Sequence, residues 1–164
     1  MEPDSPFGRW GRGLYEGLGY LGGVVLAVMT LAVFGAVLLR WVGLALDGID
    51  EVPRYLFVWL VMIGAAAAMY RGQHTTLEYF RDRLPPRARA VASVITYGAG
   101  IAVFLSFIKT SFVLVPNSQL QISAGLGLPL GYVYAAMPLG AALIILPMAW
   151  RLVGALRDLW QRPS

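Results

Sequence analysis

Cysteine is absent from the 164-residue chain, which excludes disulfides, thiol nucleophiles and thiolate metal sites together. Histidine occurs once, at His74, so the chain cannot supply a bis-histidine haem pair or a histidine-rich zinc site. A serine, histidine and aspartate triad would have to recruit that one imidazole, and no nucleophile motif lies beside it. Charge is scarce as well, with 13% of residues charged against 58% apolar. That ratio cannot clothe an ordinary solvated domain. The formal charge of +4 has no Lys/Arg cluster beside the aromatic or glycine patterns of a nucleic-acid module. These absences predict a membrane protein that is not an enzyme, carries no cofactor and binds no nucleic acid.

What the chain does have is four long, predominantly apolar runs. They predict an all-α integral membrane protein, a single domain over residues 1–164 with spans at about 15–39, 53–70, 90–115 and 132–150. The first run is longer than the apolar region of a cleavable signal peptide, lacks a convincing cleavage site, and is expected to stay as a span. Before it, Met1 to Arg12 reads as a frayed tail. The second opens on Asp50, Glu51, Pro53 and Arg54 and closes on Arg71. Pro53 suits a first helical turn, and the two acids suit the positive end of its dipole. From Tyr55 to Tyr70 it is uncharged for about 24 Å, a little short of the roughly 30 Å hydrocarbon core, so its flanks must help it cross.

The connections are patterned too. Thr75 and Glu78 have capping-box spacing, and Leu77, Phe80 and Leu84 share a helical face largely apart from Arg81, Asp82 and Arg83. A cytoplasmic-side amphipathic interfacial helix over about 75–84 is expected, stopped by Pro85 and Pro86; a solvated loop is the plainer alternative. Asn117 to Gly131 is uncharged and glycine-rich, a loop or shallow re-entrant turn. Pro138 and Pro147 are expected to kink the last span.

With four spans both termini share a side, and that side gathers Arg9, Arg12, Arg71, Arg81, Arg83, Arg87, Arg89, Arg151, Arg157 and Arg162, while Arg40 and Arg54 lie opposite. The bias places both termini in the cytoplasm. None of the nine acids lies mid-span, so the chain is not expected to drive transport by itself; Glu16 sits only at the lip of the first span. Lys109, counted from Ala90, falls on the order of 27 Å along its helix, near the far interface. There a Lys costs less than the roughly 2.5 to 3.5 kcal/mol of a helix centre and either snorkels or meets a partner or headgroup. Small residues at four-residue spacing, among them Gly13 and Gly17, Gly19 and Gly23, Gly64 and Ala68, and Ala136 and Gly140, fit helix association or packing within one bundle. Four of the five Trp flank the spans; Trp59 lies inside one and could face a partner.

Residues 40–78 resemble the DctQ-like small permease subunit of tripartite ATP-independent periplasmic (TRAP) transporters. The likeness rests on Arg40 and Trp41, the acidic pair Asp50 and Glu51, Arg54, Trp59, the Gly64-Ala65-Ala66 run, Arg71 and His74. Gly127, Pro129, Tyr134, Pro138, Leu139 and Gly140 add a second patch. The chain departs from the family in having Asp at position 50, where two consecutive Glu are common, and in lacking an Asp two residues beyond Glu78. The resemblance implies a non-catalytic scaffold in a bacterial inner membrane, beside a large permease subunit that holds the substrate and sodium sites. It implies a periplasmic binding protein as third component, and imported organic anions such as C4-dicarboxylates, sialic acid, sugar acids or keto acids. The expected partner contacts are Asp50, Glu51, Arg54, Trp59, Gly64, His74 and Lys109. The alternatives are a membrane anchor for a redox or other enzyme and a self-sufficient exporter.

Overall fold

The computed structural model describes residues 6–44, 48–71 and 85–161. The region expected to form an interfacial helix at 75–84, with His74 and Glu78, lies outside the described residues, as does Asp47. Five helices account for almost all of the rest: α1 (Pro6–Trp41), α2 (Glu51–Arg71), α3 (Pro86–Ser118), the single turn α4 (Gly131–Tyr134) and α5 (Ala136–Gln161). Four stretches are long and apolar enough to cross a membrane, namely Gly11–Trp41, Glu51–Arg71, Ala88–Ser118 and Gly131–Arg157. This is the all-helical membrane architecture that the four apolar runs predict.

Pro53 and Pro138 stand at helix breaks, whereas Pro116, just past the expected end of the third span, falls inside α3. Pro53 falls in the first turn of α2, where its missing N–H costs nothing. Pro138 has no N–H for the carbonyl four residues back, that of Tyr134, and there the chain divides into α4 and α5. Pro147 instead stands inside a continuous α5. Its missing N–H leaves the Leu143 carbonyl without its helical donor, and the Tyr15 hydroxyl of α1 donates to that oxygen at 2.6 Å. A gap in one helix thus becomes the attachment point of another.

Among the described residues the neighbouring long helices are α1 with α2, α2 with α5, and α5 with α3; α1 and α3 are not adjacent. The bundle is therefore an open row in the order α1, α2, α5, α3. Its core gathers Tyr15, Ala66, Met69, Ile144 and Met148, with Tyr70, Tyr97, Ile101 and Phe104 packed around them. Tyr15 is 1% exposed and stacks on Tyr70, ring centroids 4.5 Å apart and planes 3° from parallel.

Close approaches fix the register. A Cβ at Gly140 would strike the side chain of Met62, so these levels of α5 and α2 coincide. A Cβ at Gly100 would overlap Met148, and one at Gly131 would meet the Gln119 side chain, which sets α3 antiparallel to α5. Arg151 donates to the Tyr70 carbonyl at 3.2 Å, so the ends of α2 and the charged end of α5 are level.

Candidate partner-binding edges

At the start of α2, the Glu51 carboxylate works as a clasp. Its Oε1 accepts the Gly125 N–H at 3.1 Å, and Oε2 accepts the Leu126 N–H at 3.3 Å and the Tyr55 hydroxyl at 3.1 Å. The loop it holds, between α3 and α4, carries a single antiparallel bridge between Ile122 and Pro129. Ser123 closes the turn from inside, its Oγ accepting the N–H groups of Leu126 at 3.2 Å and Leu128 at 3.4 Å. Backbone pairs Ser123 N–H to Leu128 O and Leu130 N–H to Gln121 O, both 2.9 Å, complete it. The uncharged segment read from sequence as a loop or re-entrant turn is thus ordered, with many of its polar groups paired.

Gly48 makes the clasp sterically possible. Its φ of +86° belongs to the left-handed region, and a Cβ there would come within 2.6 Å of the Gly125 carbonyl carbon. The two glycine backbones touch, bringing the connection after α1 against the loop after α3. Asp50, beside this contact, pairs with Arg40 at 3.2 Å; both side chains are largely exposed, and an ion pair in that setting adds little stability. Arg54 is exposed one turn into α2.

The opposite edge is built from Arg71 at the end of α2 and Arg151 on α5. Arg71 lines an open cavity with Glu16, Gly19 and Tyr20 of α1. Neither edge has the makings of a metal centre, since no three His, Asp or Glu side chains converge among the described residues.

The profile of the family described as tripartite ATP-independent periplasmic transporters, DctQ component, matches residues 29–158. The chain belongs to that family. A Haemophilus influenzae protein provisionally named a TRAP transporter small permease protein is 28% identical over 142 residues, covering 80% of this chain and 83% of that protein. The C4-dicarboxylate TRAP transporter small permease protein DctQ of Rhodobacter capsulatus is 30% identical over 135 residues, covering 80% of this chain and 56% of its own length. The sialic acid TRAP transporter small permease protein SiaQ of Vibrio cholerae is 31% identical over 61 residues, covering 33% of this chain and 35% of that protein. The protein is accordingly a small permease subunit of a TRAP transporter, and not an enzyme.

The contacts expected of this DctQ component do not fall into one patch. Asp50, Glu51 and Arg54 share the clasp edge, but Glu51 spends its acceptors on its own chain. Trp59 is half-buried, whereas Gly64 is exposed and a Cβ there would meet nothing within 4 Å. Five residues apart, they lie about 140° from each other around α2, so no single flat surface is centred on both. Lys109 is exposed on α3. Of the small-residue pairs, Ala136 and Gly140 are buried, and Gly140 packs against Met62 of α2; Gly13 and Gly17 are open.

Sequence reasoning missed Tyr15, Ser123, Gly125 and the Tyr70 carbonyl as organising groups. A signal existed for the first: a proline inside an apolar span leaves a carbonyl that must find a donor in a neighbouring helix. For Gly125 there was none, because its partner Glu51 stands over seventy residues away.

Proposed function

We propose that this small permease subunit is the stationary scaffold of a sodium-coupled uptake transporter for organic anions. It stands beside a large permease subunit that carries the substrate and sodium sites, and a soluble periplasmic protein delivers the substrate. The observation that carries the reading is the placement of acids: Glu2, Asp4, Asp47, Asp50, Glu51, Glu78, Asp82 and Asp158 fall outside the spans expected at 15–39, 53–70, 90–115 and 132–150, and Glu16 stands at the lip of the first. A bundle with no deep carboxylate has nothing with which to bind and release a coupling cation, so the work of coupling falls to another chain. The substrate class is supported by the names of two relatives, one for C4-dicarboxylate and one for sialic acid, both carboxylates.

In this reading the protein is one membrane domain of a bacterial inner membrane. The arginine-rich edge with Arg71 and Arg151, and both termini, face the cytoplasm. The clasp edge is then periplasmic, where Asp50, Glu51 and Arg54 shape the surface that receives the binding protein. Trp59, Gly64, His74 and Lys109 are the candidate contacts to the large permease. The family favours this over an anchor for a redox enzyme. Co-purification of the large permease with Trp59→Ala and Gly64→Leu variants tests it; undiminished yield of complex counts against those contacts. Accumulation of an organic acid by the chain alone in liposomes, driven by sodium, would overturn the scaffold reading.

A further inference from the structure

Counted from Ala90, Lys109 belongs near a membrane interface; measured against the neighbouring helices, it does not. Gly100 is level with Met148 and Gln119 with Gly131, so Lys109 on antiparallel α3 stands level with about Gly140 of α5. Gly140 is in turn level with Met62. Met62 is eleven residues from Glu51 and nine from Arg71, so Lys109 lies near the midpoint of α2, about 15 Å from either edge. The discrepancy arises because the first turns of α3 run beside the end of α5 beyond Arg151, where Ser93 and Ala155 are buried.

Around Lys109 the helix surface is open and largely apolar, and the exposed Ser106 hydroxyl donates to the Ala102 carbonyl of its own helix at 3.0 Å. Leu105 and Val113 stand one turn before and after it, and Phe112 is 76% exposed. The core-facing residues of α3, Tyr97, Ile101 and Phe104, lie on a different side of the helix from Lys109. Snorkelling offers no relief at this depth. Side chains of a helix lean toward its N-terminus, which for α3 means away from the clasp edge, and a four-carbon stem does not span the distance to the other.

We propose that the outer side of α3 centred on Lys109 docks a transmembrane helix of the large permease that presents a carboxylate to the Lys109 ammonium at mid-membrane depth. Charge complementarity selects the occupant: a lipid tail offers a mid-span cation nothing, whereas a carboxylate on a partner helix neutralises it, and both costs of burial are then shared. The inference rests on the subunit reading above and names the face and the chemistry.

The test uses the full chain produced with its large permease. Lys109→Met keeps the length and removes the charge; Lys109→Arg keeps the charge. We expect the Met variant to retain at least tenfold less large permease through purification in detergent, and the Arg variant to retain most of it. The isolated Met variant should melt at or above the temperature of the isolated wild-type chain, because an unpaired charge has left an apolar surface. Wild-type yield of complex from Lys109→Met overturns the proposal, and so does a lowered melting temperature of the isolated variant, which would mark an internal structural role. If the wild-type chain itself retains no large permease, the subunit reading fails and the inference falls with it.

Discussion

Removing one oxygen atom from Tyr15 tests how α1 is held to the rest of the row. Tyr15→Phe keeps the ring, its burial and its stack on Tyr70. It removes only the donor that stands in for the absent N–H of Pro147 at the Leu143 carbonyl. Leu143 is eight residues inside Arg151, on the order of 12 Å from that edge, too deep for water to replace the hydroxyl. Hydrogen bonds between membrane helices average about 0.6 kcal/mol and reach about 1.7. An orphaned buried acceptor costs about 1 to 3 kcal/mol. Together these put Tyr15→Phe at about 1 to 2 kcal/mol, readable by unfolding the purified chain in mixed micelles with tryptophan fluorescence as the signal. The decisive measurement is a double-mutant cycle with Pro147→Ala, which returns an N–H to the helix ladder. In that background Tyr15→Phe should cost less than about 0.5 kcal/mol, since Leu143 keeps a donor. Equal costs in both backgrounds would refute the argument that the hydroxyl fills the proline gap. Tyr15→Ala, which also empties the ring site, should cost about 3 to 5 kcal/mol in either.

The clasp makes a second prediction: Glu51→Ala should speed amide hydrogen exchange at Gly125 and Leu126 at least tenfold while leaving α5 unchanged, with Glu51→Gln in between because one amide oxygen still accepts. Gly48→Ala should open the same amides, since a Cβ cannot fit against Gly125 at that φ; exchange at wild-type rates would disprove the contact. Gly140→Leu should prevent stable accumulation of the chain because Met62 fills that space, whereas Gly64→Leu should leave the isolated chain's melting temperature within a degree or two.

Apolar runs of membrane length told the class, because they admit few other folds, and Pro138 told where the last span divides, whereas Pro116 and Pro147 stand inside continuous helices. Two things were hidden. Depth was one: Lys109 looked interfacial because Ala90 seemed the start of the crossing, and only helix register, a long-range property, revealed that α3 overshoots one edge. Partnership was the other. Glu51 reads as a helix-dipole acid at the start of α2, which it is, but its carboxylate also closes a loop that begins some seventy residues later. No local pattern announces such a pairing, whereas Tyr15 could have been sought from the carbonyl that Pro147 strands.

The open row bears on which surfaces carry information. In water, the exposure of Leu31, Phe34 and Phe112 on the edge helices would by itself mark an interface. In a bilayer it marks nothing, because lipid tails solvate such side chains as well as a protein partner does. A docking face must therefore announce itself through groups that lipid serves badly. Tyr15, Ser123 and Glu51 are groups of that kind, and each has found its partner within the chain. Lys109 has no polar partner among the described residues and is turned outward from an edge helix. It follows that the outer side of α3, and not the larger apolar expanse of α1, is where a second chain has the most to gain by binding.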